Sequence, residues 1–152
     1  MAFWIAMLVA VALIYSGFSW LKPSPMETRQ MQARQAARKM GLLPAVRSLS
    51  EWAKARHDSA MVPFYSLAGG VGEQGFSIWN SGGQWVGQGD SPGGHRTAER
   101  LSDWLALAPE HVLGVDANAS QIGAWWDHET EAELNNLKAW LSSCPLRQEH
   151  PQ

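Results

Sequence analysis

The sequence predicts an α+β protein with an N-terminal transmembrane helix, a basic juxtamembrane helix, and a small antiparallel sheet carrying two or three helices. Three observations lead there. Residues 2–21 contain no charged side chain. Two pairs of β-prone runs flank turn-forming stretches at 80–83 and 116–120. Two apolar stripes at helical spacing follow those pairs, Leu101-Trp104-Leu105 and Leu137-Trp140-Leu141. Hairpin then helix, twice over, is the pattern of an antiparallel sheet with helices on one face.

The apolar run comes first. About 20 residues at about 1.5 Å each reach roughly 30 Å, the thickness of a bilayer's hydrocarbon core. Trp4 and Trp20 lie near its ends, where indoles prefer the interface, and Pro23 and Pro25 close it. A cleaved signal peptide needs basic residues before the run and a small-x-small site after it. The first basic residue is Lys22, and the run ends in Gly17-Phe18-Ser19-Trp20-Leu21, so a retained anchor is expected. Ala2, Ala6 and Ala10 repeat every fourth position, although ordinary lipid-facing residues explain them better than a helix-packing face. Lys22, Arg29, Arg34, Arg38 and Lys39 follow, with Glu27 the sole acid among them. The positive-inside rule then puts the N-terminus outside and the domain in the cytoplasm.

Charge divides along the chain. Residues 22–56 hold eight Lys/Arg and two Asp/Glu, a net of +6, whereas 57–152 hold four and twelve, a net of −8. The basic collar, Lys22, Arg29, Arg34, Arg38 and Lys39, suits anionic lipid head groups. The acidic body excludes the basic patch that nucleic-acid binding needs. The single cysteine, Cys144, supplies neither an internal disulfide nor a metal-binding pair. The expected organisation is an anchor at 1–21, a basic helix at 22–41, an α+β domain at 42–145 and a tail at 146–152.

Within that frame, Ser24-Pro25 begins a helix that runs to Met40, with Gly41 as its stop and Arg38 and Lys39 in its last turn. Its apolar side is thin, Met26, Ala33, Ala37 and Met40, which suits either a membrane-surface helix or a solvated linker. Leu42–Leu49 reads as a strand that Pro44 confines to an edge. Ser50–His57 reads as a short helix, and Val62–Ala68 as a strand rich in Val, Phe and Tyr. Phe76–Trp79 and Gln84–Val86 form a hairpin about Asn80-Ser81-Gly82-Gly83. Thr97–Leu107 is helical. His111–Val115 and Gln121–Trp126 form a second hairpin, followed by a helix over Glu129–Ser142 whose Thr130 and Glu133 fit a capping box. Leu101-x-x-Trp104-Leu105 recurs as Leu137-x-x-Trp140-Leu141, which raises a ββα-ββα repeat. Few other positions match, so chance similarity of two such units is the simpler explanation.

Three motifs touch on chemistry, and each has a plainer reading. Gly70-Val71-Gly72-Glu73-Gln74-Gly75 fits G-x-G-x-x-G, but a strand follows where a dinucleotide site needs a helix N-terminus. Gly89-Asp90-Ser91-Pro92-Gly93 fits the nucleophile elbow, with His111 or His128 as a conceivable base. Pro92, however, lacks the N–H that an oxyanion hole takes from the residue after the serine. Asp127-His128-Glu129-x-Glu131 sits at a helix start, where acids complement the dipole. No catalytic residue, cofactor or metal is therefore expected. Nine tryptophans are present. Trp52, Trp104 and Trp140 sit at helical core spacing. Trp85, Trp125 and Trp126 lie on strands, and alternation turns one of the last two away from the core, so these three are the candidate partner-binding residues.

Leu21-Lys22-Pro23 and the Arg/Gln-rich helix after it resemble the small accessory membrane subunit of the bacterial Sec translocon over Ile14–Met40. That family continues with Lys-Gly-Asp and Gly-Gly-Ile segments, where this chain has Gly41-Leu42-Leu43-Pro44. Trp20–Pro25, the Arg/Ala/Gln helix and Gly41-Leu42 are also similar to bacterial single-pass inner-membrane proteins. The resemblance implies a bacterial inner membrane and no activity. The expected function is a non-enzymatic accessory or scaffold protein of a membrane complex, with the bilayer and a membrane protein as partners. A membrane-tethered domain that binds or senses a small ligand is the alternative, and a hydrolase using Ser91 the remote one.

Overall fold

The computed structural model describes residues 2–19, 24–49, 51–54, 57–58, 61–72, 75–88, 92–127 and 129–148. Lys22, Trp20, Ser91, His128 and the side chain of Trp52 lie outside the described residues.

Helix α1 spans Ala2–Ser19, 18 residues. Its rise is about 27 Å, short of the roughly 30 Å of hydrocarbon that a span must cross. Among the described residues no helix is long and apolar enough to cross a membrane. This corrects the expected transmembrane helix: the sequence estimate counted Trp20 and Leu21, which are not among the described residues.

Helix α2 spans Pro25–Lys39. Its start is a complete capping box: the Glu27 N–H donates to Ser24 Oγ at 3.1 Å, and the Ser24 N–H donates to Glu27 Oε2 at 2.8 Å. Gly41 ends it in the left-handed region at φ +83°, where a side chain is disfavoured. The helix is not a free linker. Ala33 and Ala37 are buried against the domain, because two small residues one turn apart let the helix backbone approach closely.

Six strands form one antiparallel sheet in the order β1-β2-β6-β5-β3-β4. They are β1 (Leu42–Ser48), β2 (Met61–Ala68), β3 (Phe76–Ser81), β4 (Gln84–Gly87), β5 (Val112–Ala117) and β6 (Gln121–Trp126). Pro44 falls on edge strand β1, as its missing N–H requires. The β3–β4 turn is Gly82-Gly83 at φ +61° and +90°, the mirror-image turn that only such residues enter freely. Helix α3 (Glu51–Lys54) precedes β2. The helix expected over 97–107 is two pieces, α4 (Pro92–Arg100) and α5 (Ser102–Ala106), meeting at Leu101. The last helix starts later than expected: a 3-10 turn at Glu131–Glu133 leads into α6 (Leu134–Ser142). Thr130 makes no side-chain cap there, and its buried Oγ1 has no hydrogen-bond partner, so the expected capping box does not form.

The sheet has an apolar cluster on each face. Ala37, Leu42, Tyr65, Ile78, Val115 and Trp126 pack with Leu101, Leu105, Leu134, Leu137 and Leu141 on the helix side. Leu49, Ala53, Val62, Phe64, Trp79 and Trp125 form the smaller cluster on the other side.

The ββα units meet face to face. Ile78 pairs with Val115 and Trp79 with Gly114. A two-fold axis through the Ile78–Val115 pair carries Ile78 to Val115 and Trp79 to Asp116, an offset of 37 residues that also carries the Ile78–Gly87 pair of β3 and β4 onto the Val115–Ala124 pair of β5 and β6. Trp104 and Trp140, on the helices that follow, are separated by 36, and each donates its Nε1–H to the other's carbonyl at 2.9 Å. Their rings stack at 4.3 Å and 5°. The repeated Leu-x-x-Trp-Leu pattern is thus a pair of mutually packed, symmetry-related contacts.

Candidate binding surfaces

Two surfaces stand out. The first is α1 with the cations after it. Ten large apolar side chains between Phe3 and Tyr15, Trp4, Leu8 and Ile14 among them, are each more than half exposed. On α2, Arg29, Arg38 and Lys39 are exposed. Arg34 is not available to lipid: its Nε and Nη2 donate to both oxygens of Glu129 at 2.8 and 2.9 Å. The Tyr65 hydroxyl donates to the same carboxylate at 2.7 Å. The Glu129 hydrogen bond holds the Arg34 guanidinium above its ordinary pKa, and burial with that same bond pushes the Tyr65 phenol up. Glu129, read from sequence as a helix-start acid, is instead the buried tie between α2 and β2.

The second surface is a cavity of about 330 Å³ on the sheet face that carries no long helix. Two rows of residues cross this face. One runs Trp79, Gly114, Trp125, Phe64 across β3, β5, β6 and β2; the next runs Ser77, Asp116, Gly123, Ser66; of these, Trp79, Trp125, Ser77 and Asp116 line the cavity. The glycines are what let the aromatic rings lie down. A Cβ on Gly114 would sit 2.3 Å from Trp79 Cε3, and one on Gly123 2.3 Å from Phe64 Cζ. The Arg47 guanidinium lies over the Phe64 ring, 4.4 Å from its centre. Asp116 opens into the same cavity. Burial pushes its carboxyl above the ordinary aspartate range, against the opposing pull of Arg47. No ion pair closes between these two side chains. Residues of β1, β3, β5 and β6, distant in sequence, therefore place two opposite charges over one apolar floor.

The candidate tryptophans land in different places. Trp125 lines this cavity and is 9% exposed, while Trp126 is fully buried in the helix-side core and its Nε1–H donates to the Glu110 carbonyl at 3.3 Å. Neither is an exposed partner anchor, because the second sheet face has its own apolar cover. Trp85 is half-buried against the helix-side core, in a wider groove of about 740 Å³ shared with Glu99, Glu110 and His111. The glycine-rich stretch is followed by strand β3, and a Cβ on Gly70 would collide with the Ala119 carbonyl carbon at 2.1 Å. Those glycines serve a close chain crossing. Cys144 is buried and its thiol is pushed up by desolvation. Sequence reasoning passed over Arg47 and read Asp116 as the first residue of a turn, whereas it lies within β5; the one signal for their site was a glycine inside each of β5 and β6.

No family model, curated protein or solved structure matches this chain.

Proposed function

We propose that this protein is a non-enzymatic accessory protein that attaches to the cytoplasmic face of a bacterial inner membrane and serves a membrane complex there. The observation that carries the reading is the exposure of α1. Burying its ten large apolar side chains is worth on the order of 10–20 kcal/mol. A surface of that kind marks a membrane or protein contact. The exposed Arg29, Arg38 and Lys39 favour the anionic leaflet by about 1 kcal/mol each near the surface. The attachment needs α1 to enter the apolar layer, not to cross it. Flotation of the full-length chain with vesicles containing anionic phospholipid tests it. Wild type is expected to float, and Leu8→Asp with Ile14→Asp to remain at the bottom. Wild-type protein that stays at the bottom at low and high salt would refute the attachment.

A second reading, a domain that binds a small ligand, is favoured by the Arg47–Asp116 cavity. The two readings are compatible, since the cavity lies on the sheet and the attachment on α1.

A further inference from the structure

Resting on that second reading, we infer that the cavity between Arg47 and Asp116 is a site for a small zwitterion of the size and charge pattern of a free amino acid or a betaine. The argument begins with the charges. Asp116 and Arg47 line one cavity without closing on each other in an ion pair. A simple cation would be drawn to Asp116 and repelled by Arg47; a simple anion would meet the reverse. A ligand that carries an ammonium group and a carboxylate a few ångströms apart satisfies both side chains at once.

The floor adds the rest of the specificity. Trp79, Trp125 and Leu49 are apolar walls for a short aliphatic part, and the Ser77 hydroxyl and Gln88 amide supply neutral hydrogen bonds. The volume, about 330 Å³, lies at the lower end of small-molecule sites, which run from about 300 to 1,000 Å³. The Arg47 guanidinium lies over the Phe64 ring, a contact that favours one placement of the cation at the cavity wall. Two strand glycines keep the aromatic floor flat enough to leave the space open.

The test uses the full-length chain in a non-ionic detergent, with glycine betaine and L-leucine as zwitterions, tetramethylammonium as the cation alone and isobutyrate as the anion alone. Calorimetric titration and tryptophan fluorescence read binding. A saturable response to a zwitterion is expected, with much weaker response to either singly charged probe. Asp116→Asn and Arg47→Gln should each weaken it by at least about tenfold, the worth of one charge-assisted hydrogen bond. Equal binding of a singly charged probe would overturn the ligand class while leaving a binding cavity. Failure of every probe to saturate below about 10 mM would overturn the site itself. So would unchanged binding in both folded variants. If a variant does not fold, competition among the four probes on wild type still decides.

Discussion

Replacing Arg34 by alanine tests the tie that joins α2 to the sheet. Glu129 accepts two hydrogen bonds from Arg34 and one from Tyr65, and its side chain is 2% exposed. Removing one partner of a fully buried ion pair costs about 3–5 kcal/mol, because the remaining charge is left without compensation. The Arg34 side chain is 35% exposed, so water reaches the vacated side and softens that cost. The expected loss is about 2–3 kcal/mol. For a domain of this size that lowers the melting temperature by roughly 6–12 °C. The assay is thermal unfolding of the full-length protein in non-ionic detergent, paired with limited trypsin digestion. Released α2 should be cut faster at the exposed Arg29, Arg38 and Lys39. Arg34→Lys should recover only part of the loss, since an ammonium cannot bind both carboxylate oxygens in parallel. Arg34→Met with Glu129→Leu should fall well short of the sum of the single effects. A melting temperature within about 2 °C of wild type for Arg34→Ala, with unchanged digestion, would refute the reasoning and return α2 to a free juxtamembrane linker.

Three further expectations concern other parts of the fold. Burial raises the Asp116 pKa in the folded state, so the folded form holds that proton to higher pH than the unfolded chain. Stability therefore falls as pH rises above the ordinary aspartate value, and Asp116→Asn should melt higher than wild type at pH 7, with the gap closing near pH 3. A variant that is less stable than wild type at both pH values would contradict this. Trp104→Phe removes a reciprocal hydrogen bond and half of the ring stack, at an expected cost of about 2–3 kcal/mol in chemical denaturation. Trp140→Phe should cost the same within about 1 kcal/mol, and both should abolish the exciton signal of the pair in circular dichroism; a lopsided result would break the two-fold reading. Cys144, 5% exposed with its thiol pushed up, should react with a thiol reagent only on unfolding. Full labelling of the native protein within minutes would show that its burial is wrong.

Features governed by neighbouring residues were legible in the sequence, and features set by distant partners were not. Gly82-Gly83 permits one kind of two-residue hairpin and occupies it. Asn118 turns the second hairpin by accepting the N–H groups of Ser120 and Gln121 at 2.9 and 3.1 Å. Ser24 and Glu27 form the capping box that their spacing allows, whereas Thr130 and Glu133, at the same spacing, do not, because the chain there first makes a 3-10 turn. The packing of α2 was hidden for a different reason. Its buried face is the two alanines of a thin apolar side, too weak a stripe to predict docking, and its polar tie comes from a residue 95 positions away.

The Arg47–Asp116 cavity shows why a site can be absent from sequence motifs yet follow from ordinary sheet rules. Its charged residues are 69 positions apart by number, on an edge strand and an interior strand, and no local pattern links them. The sheet order brings them over one floor: Asp116 faces Gly123, Phe64 lies over Gly123, and Arg47 reaches across from β1 to lie on Phe64. The Phe64 step uses the vacancy that Gly123 leaves, as Trp79 uses that of Gly114. A strand glycine otherwise costs stability, so two of them side by side on one face argue for a ring that must lie flat. The internal two-fold sharpens the point. Under the 37-residue offset of the sheet, Gly114 takes the place of Ser77 and Asp116 that of Trp79, so the repeat supplies the scaffold but not the charge. The helix-side core keeps the symmetry, in Trp104 and Trp140, and the opposite face departs from it. That division of labour, a symmetric side for stability and an asymmetric side for recognition, is what places the binding chemistry of this chain on the face without long helices.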